Sequence, residues 1–380
     1  MLITDVAVSL CLYTNLSKKM EVQMTCYTDL VLIKKCLDQA GLYAMGNLIL
    51  YFSTIFKLNL SFLLFSILQT VFGEIQNSLV EVPEYEREIF KFEDGGQVAL
   101  DWVFDEHRTK GIVTILPGCT GDQTAFYVVN AVNAAVESGY NVVVTNHIGC
   151  AGVEVTSARL YCPASSWDYR EIAGYIHSKY PNDKIFAIGY SLGANVLGKY
   201  LGEDGDKSLV TAAVCVSSPL DLKEFTDYLY DNYFGFFSKF LANIIKNKIL
   251  EHKVQLQPLA KKLGMDIDKC AEKIVYLQDI DIVFSTPAFE YGTLENYYAK
   301  CSSSSLLPNF HTKTLFISAI DDPVCLNTKT TIKRFNINEN VFVLATHAGG
   351  HCASFESVFS SKQWVTKPTL KFFDHFLKSD

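Results

Sequence analysis

One serine of the chain stands in a setting that is typical of a catalytic nucleophile. Ser191 lies in the pentapeptide Gly-Tyr-Ser-Leu-Gly at 189–193, between a short apolar run and a segment of near-helical apolar spacing. A G-x-S-x-G sequence between a strand and a helix forms a nucleophile elbow, a strained turn that exposes the serine hydroxyl above a sheet. The two glycines remove Cβ atoms that would clash where the chain reverses. The pattern therefore predicts Ser191 as a nucleophile.

A base and an acid are expected to accompany this serine, because a serine hydroxyl is a weak nucleophile at neutral pH. In hydrolases with a nucleophile elbow, the order along the chain is Ser, acid, His. Asp321 and Asp322 directly follow one predicted strand, and His347 and His351 directly follow the last one. Both pairs therefore stand where the strands of a parallel sheet would present a catalytic acid and a catalytic base.

One residue of each pair is favoured, and the other stays an alternative. We favour Asp322 over Asp321 because Pro323 locks the bend directly after it. We favour His351 over His347 because the Gly-Gly pair before it permits a close approach to the serine. These two residues and the serine make up the predicted catalytic triad, which requires no metal and no organic cofactor.

Two backbone N–H groups are needed to form an oxyanion hole. Leu192, directly after the predicted nucleophile, supplies one of them from the start of its helix. The second is expected from the loop at 117–121, where Cys119 follows Gly118. We predict the amide of Cys119 as this donor and regard its thiol as incidental.

Alternating strands and helices from about residue 85 provide the scaffold for these residues. An opening hairpin is predicted at 88–92 and 98–104, then strands at 112–116, 142–145, 184–188, 209–216, 314–319 and 341–345, with helices at 125–136, 166–178 and 364–377. This alternation predicts an α/β fold, with a mostly parallel sheet that is covered by helices on both faces.

Residues 221–310 interrupt the alternation and are rich in Phe, Tyr, Ile and Leu. An insertion after the strand that follows the elbow is expected to lie over the carboxyl ends of the strands, where ligands bind in open α/β sheets. We predict a helical lid. Its aromatic residues suit a fatty substrate or a membrane surface, or else they fill the core of the lid itself.

The N-terminal part of the chain has a different character. Residues 46–73 are predicted as a membrane helix, because their apolar stretch is long enough to cross a hydrocarbon core of about 30 Å, although Lys57 interrupts it. The alternative is a helix packed on the catalytic domain. Lys34 and Lys35 precede the segment and acidic residues follow it, which predicts a single-pass protein with a cytosolic N-terminus and the endoplasmic reticulum as candidate organelle. Residues 1–45 receive no role.

Composition excludes some classes of function. The net charge of −8, without a block of basic residues, argues against a nucleic-acid partner. The 11 cysteines are odd in number and show no zinc-binding spacing, so they predict neither complete disulfide pairing nor a metal site. Nothing in the composition indicates an oligomeric state.

Five segments follow one another in the order of a known family: LPGCTGD (116–122), NHIGCAG (146–152), GYSLGAN (189–195), AIDDPV (319–324) and HAGGHC (347–352). Together they resemble AB-hydrolase family 4, whose members are esterases, acylglycerol lipases or phospholipases, often held to membranes by an N-terminal helix. The resemblance spans about residues 85–378. It implies an α/β-hydrolase fold, with Ser191, Asp322 and His351 as the triad. Members commonly carry Asn-x-Arg-Gly where this chain has Ile148 in place of the arginine, so one basic group is missing.

The leading hypothesis is a serine hydrolase that cleaves lipid-like carboxylic esters, such as monoacylglycerols or phospholipids, through an acyl-serine intermediate. Its expected partners are a lipid ester and a membrane. Two alternatives remain. One is an acyltransferase that uses the same triad. His375 and Asp380 have the spacing of a known His-x4-Asp signature, but they lie on a polar helix end, where coincidence is the better explanation of the match. The other is a lipid-binding protein without turnover.

Overall fold

The structure, a computed structural model, describes residues 80–325, 334–335, 338–346, 349–356 and 361–377. Eight strands form a single sheet within these ranges: β1 (Glu86–Lys91), β2 (Gln97–Val103), β3 (Ile112–Leu116), β4 (Asn141–Thr145), β5 (Ile185–Tyr190), β6 (Val210–Val216), β7 (Lys313–Ala319) and β8 (Val341–Thr346). The strand order across the sheet is β1-β2-β4-β3-β5-β6-β7-β8. From β4 to β8 all neighbours are parallel, whereas β1 and β2 form an antiparallel hairpin at one edge. The predicted mostly parallel sheet is confirmed.

Helices cover both faces of this sheet, as strands that are buried on both sides require. Strands β3, β4 and β5 are buried along their whole length. Val113 and Ile115 of β3 face one core, whereas Ile112 and Leu116 face the other. The scaffold helices are α1 (Phe126–Glu137) and the C-terminal helix (Thr366–Leu377) on the first face, and α2 (Ser166–Lys179) and α3 (Leu192–Asp204) on the second.

The chain between β6 and β7 is almost entirely helical and forms the segment that we call the lid. It contains α4 (Leu222–Asp231), α5 (Phe236–Glu251), α6 (Gln257–Leu263), α7 (Ile267–Lys273), α8 (Leu277–Ile280), α9 (Thr286–Ala288) and α10 (Leu294–Cys301). Side-chain caps mark where several of these helices begin: Asp221 accepts from the Glu224 amide, and Thr293 accepts from the Asn296 amide. The C-terminal helix, at Thr366–Leu377, is therefore α11.

The single-pass membrane placement expected from the sequence needs correction. No helix within the described ranges is long and apolar enough to cross a bilayer. A span takes about 20 residues, whereas the longest described helix, α5, has 16. The segment 46–73, on which the expectation rested, lies outside the described residues, as do residues 1–45.

Candidate active site

The predicted elbow is a sharp turn between β5 and α3. Ser191 stands between the last residue of β5 and the first residue of α3, with a φ of 50° that is strained for a residue with a side chain. A Cβ atom on Gly189 would lie 2.6 Å from the Cα of Ala194, and one on Gly193 would lie 2.3 Å from the carbonyl oxygen of Leu116. Only glycine fits at these two positions, so the pentapeptide dictates the turn.

Ser191, His351 and Asp322 lie together above the sheet. The Oγ of Ser191 is 2.8 Å from the Nε2 of His351. On the other side of the ring, Nδ1 lies 3.0 Å from Oδ2 and 3.2 Å from Oδ1 of Asp322. Asp322 is buried and its Oδ1 also accepts from the amides of Val324 and Cys325, each at 2.8 Å. The carboxylate is thus held in one orientation, which fixes the imidazole with Nε2 facing the serine.

The neighbouring aspartate has a different partner. Oδ1 of Asp321 accepts from the amide of Gly349 at 2.8 Å and so braces the loop that carries His351. Burial raises the pKa of Asp321 to about 7. The structure therefore brings Asp322, and not Asp321, to the imidazole. His347, the alternative base, lies outside the described residues.

The electrostatic setting of His351 favours its charged form. Burial alone lowers its pKa, but the neighbouring groups, with the Asp322 carboxylate as the negative charge among them, outweigh burial, and the pKa lies well above its ordinary value. The carboxylate of Asp322 is also the group that accepts a hydrogen bond from the ring. An imidazolium formed by taking the proton of Ser191 would be stabilised in this setting.

The loop at 117–121 lies directly against the elbow, where a second oxyanion donor is needed. A Cβ atom on Gly118 would be 3.3 Å from the Cβ of Ser191. The amide of Gly118 donates to Oη of Tyr127 at 3.0 Å. Among the described residues, the amides of Cys119 and Leu192 donate to no protein acceptor. They remain available for a developing oxyanion, and Leu192 adds the positive end of the α3 dipole.

Sequence reasoning missed two aromatic residues that hold this loop. The amide of Thr120 donates to Oη of Tyr161 at 2.9 Å. His147 stacks on Tyr161, with ring centroids 4.6 Å apart, and its Nε2 lies 2.9 Å from the carbonyl oxygen of Pro117. Burial lowers the pKa of His147, so the ring is neutral and donates this bond through Nε2–H.

The motif at 146–149 contains a signal for this contact, and the signal lies in His147 and not at the arginine position. Ile148, at the family's arginine position, is 1% exposed and packs in the core. The preceding residue, His147, is the one that reaches the oxyanion loop. His147, a polar residue directly before the position where the family carries an arginine, was the sequence feature that indicated this contact.

A pocket under the lid opens onto Ser191 and His351. Its wall is mostly apolar, and the lid helices α4 and α5 contribute Phe225, Leu241, Ile245 and others. The pocket could hold an acyl chain with its ester carbonyl at the serine.

Three potential metal ligands also meet here. Asp322, Cys325 and His351 place ligand atoms within 4.8 Å of one another. Asp322 and His351 bond to each other, and the Cys325 thiol donates to the carbonyl oxygen of Ser217 at 3.1 Å. Burial raises the pKa of Cys325 to about 12, so its thiol stays protonated at neutral pH. We assign the cluster to the support of the triad.

Several known proteins are similar to this chain in sequence. The human protein named phospholipase ABHD3 is 28% identical over 290 residues, which cover 73% of this chain and 68% of the relative. An abhydrolase domain-containing protein of Dictyostelium discoideum is 31% identical over 294 residues, covering 75% of this chain and 72% of the relative. Monoacylglycerol lipase of Saccharomyces cerevisiae is 28% identical over 272 residues, covering 70% and 60% respectively. Residues 111–358, more than half of the chain, match the family described as alpha/beta hydrolase fold. The chain belongs to the alpha/beta hydrolase fold family.

Proposed function

We propose that this protein is a serine hydrolase of lipid-like carboxylic esters, with Ser191, His351 and Asp322 as its catalytic triad. The observation that carries the proposal is the continuous hydrogen-bonded line from Oγ of Ser191 through the imidazole to the buried carboxylate. The curated relatives support the enzyme class, because two of them are named phospholipase and monoacylglycerol lipase.

In the proposed reaction, Oγ of Ser191 attacks the ester carbonyl while Nε2 of His351 takes its proton. The tetrahedral oxyanion accepts hydrogen bonds from the amides of Cys119 and Leu192. His351 then returns the proton to the leaving alcohol, which leaves an acyl-serine. Water, activated by the same base, hydrolyses this intermediate and regenerates the serine. Asp322 holds the imidazole in the required tautomer throughout.

We further propose a family, domain bounds and a substrate class for this protein. The five ordered motifs support a place in AB-hydrolase family 4. The helical chain between β6 and β7 supports a hydrolase domain at 85–380 with a lid at 221–310. The apolar pocket supports a monoacylglycerol or a phospholipid as substrate, since either one offers a long acyl chain beside an ester.

Labelling with a fluorophosphonate probe, which reacts covalently with activated serines, tests the proposed nucleophile. Wild-type protein should be labelled, and Ser191→Ala should not. Ser178→Ala serves as the matched control, because this exposed serine of α2 bonds only the carbonyl oxygen of Tyr175. Equal labelling of wild type and Ser191→Ala would remove Ser191 as the nucleophile.

A further inference from the structure

One carboxyl group in the pocket has no part in the triad. Asp281 lies buried in the pocket wall on the lid side. It opens a π-helical turn, Asp281–Ser285, between α8 and α9. Such turns are rare and occur frequently at functional sites. A carboxyl group in a mostly apolar wall is costly to keep there, which points to a polar ligand.

Hydroxyl groups surround this carboxyl, and together with it they form what we call the lid polar cluster: Thr226, Asp281, Ser285, Tyr297 and Tyr298. All five residues line the pocket. Oη of Tyr298 donates to Oδ2 of Asp281 at 3.1 Å. The hydroxyls of Tyr297 and Ser285 also lie close enough to favour the charged form of Asp281, and the hydroxyl of Thr226 lies beside that of Tyr298. The cluster is thus a carboxyl group with four hydroxyl-bearing side chains around it.

The cluster lacks a cation. Burial raises the pKa of Asp281 to about 7, and the three hydroxyl groups only partly oppose this rise. Among the described residues, no Lys, Arg or His contributes to the charge balance of this carboxyl; Lys248, which also lines the pocket, pairs with Glu251 instead. An ionised carboxylate can accept about four hydrogen bonds, and the donor from Tyr298 leaves room for a hydroxyl group of a ligand.

The cluster also lies within electrostatic reach of the reacting centre. Burial raises the pKa of the Cys119 thiol to about 11, and the charge of Asp281 adds to this rise. Cys119 belongs to the proposed oxyanion loop. Asp281, Cys119 and Ser191 line the same pocket. The alcohol group of a bound ester begins three bonds from the oxyanion oxygen, so this pocket offers it the cluster.

We propose that the lid polar cluster is the subsite for a neutral, hydroxyl-bearing head group, such as the glycerol of a monoacylglycerol. This inference rests on the proposed ester hydrolase function. A glycerol hydroxyl donates to Asp281 and accepts from the hydroxyls around it. A phosphate group would meet a like charge, and a quaternary ammonium group has no hydrogen to donate to the remaining acceptor site.

The test compares three esters of the same acyl chain: glyceryl monodecanoate, ethyl decanoate and decanoylcholine. Wild type should prefer the glyceryl ester over the ethyl ester in kcat/KM. In Asp281→Asn, which keeps the size of the side chain, this ratio should fall about tenfold, the effect of one hydrogen bond to a charged group. Asp268→Asn changes an exposed aspartate of α7 that pairs with Lys253, and should keep the wild-type ratio.

Tyr298→Phe provides a second variant, because it removes one donor to Asp281 without changing the carboxyl, and should lower the same ratio severalfold. Fluorophosphonate labelling of Ser191 in each variant confirms that the site has folded.

An unchanged ratio in both variants would overturn the subsite. So would a wild-type preference for decanoylcholine that Asp281→Asn abolishes, since the subsite would then bind cations. If wild type hydrolyses no ester at all, the proposed function fails together with the subsite, whereas ester hydrolysis without a glyceryl preference overturns the subsite alone.

Discussion

Two adjacent aspartates illustrate how neighbouring residues of the same type acquire different roles. Asp322 accepts hydrogen bonds from two backbone amides and from a ring nitrogen of His351, and these bonds hold its carboxylate beside the imidazole. Asp321 instead accepts a hydrogen bond from the amide of Gly349, in the loop that carries His351. The sequence favoured Asp322 through Pro323, yet only the packing of the loop against β7 separates the two roles.

Asp322→Asn should shift the pH dependence of the reaction as well as its rate. The base must be neutral, and the pKa of His351 is raised, so wild-type kcat/KM should be lost as pH falls through a value above about 6.5. Without the carboxylate the imidazolium is less stable, so the ascending limb should move to lower pH. We also expect kcat to fall by about 10³–10⁴. A pH–rate profile with a soluble ester checks this, and an unshifted limb would separate Asp322 from the base.

Tyr161→Phe should slow catalysis through the oxyanion loop. The hydroxyl that holds the amide of Thr120 would be lost, while the stacking on His147 would remain. Because this loop is proposed to contact the transition state, we expect kcat to fall about tenfold with little change in KM.

Tyr180→Phe is the matched control for this variant. Tyr180 stacks on Phe104, which lies at the amino ends of the parallel strands, whereas the active site lies at their carboxyl ends. Steady-state kinetics of both variants decide the matter. If Tyr161→Phe keeps the wild-type kcat, the loop does not depend on this hydroxyl.

At the scale of elements, the elbow glycines are requirements of backbone packing. Gly193→Ala would place a Cβ atom 2.3 Å from the carbonyl oxygens of Leu116 and Pro117, and both atoms belong to the backbone. We expect the free energy of unfolding to fall by about 1–3 kcal/mol or more. Gly174→Ala is the control: an added Cβ there meets nothing within 4 Å, and α2 should gain up to about 1 kcal/mol from helix propensity. Equilibrium denaturation measures both variants, and equal stabilities would refute the close approach.

The lid helix α5 should influence acyl-chain selection. Ile245 lines the pocket, so Ile245→Trp would shorten the space for an acyl chain. We expect kcat/KM for long-chain esters to fall about tenfold relative to short-chain esters. Ile244→Trp is the control, because the neighbouring side chain is half-buried but not part of the pocket wall. A chain-length series on both variants is the measurement. Identical profiles would mean that the acyl chain does not lie along α5.

Strands and helices were predicted well where their sequence pattern is uninterrupted. Short apolar runs such as 112–116 predicted β3 to the residue, because a strand buried on both faces leaves an uninterrupted signal. The two hairpin strands begin earlier than predicted, β1 by two residues and β2 by one. The reason is that β1 is an exposed edge strand, whose ends have a weak sequence pattern. The lid was predicted as helical, but its division into seven short helices depends on local caps and mutual packing.

For the molecule as a whole, chain order and strand ends carried most of the information about the site. Parallel strands bring their carboxyl ends to one edge, so residues far apart in sequence could be predicted to meet there. Asp281 could not be found in this way. Its surroundings come from three separate lid elements, and the periodicity of a helix does not reveal which residues another helix will enclose.

The most direct measurement of the central claim is the identification of the acylated residue during turnover. Wild-type protein would be mixed with a lipid ester, quenched in acid within the first turnovers, and analysed by intact and peptide mass spectrometry. The account predicts an added acyl mass on the peptide that contains Ser191, and no such adduct in Ser191→Ala. An acyl group on Cys119, or hydrolysis by Ser191→Ala at the wild-type rate, would contradict it.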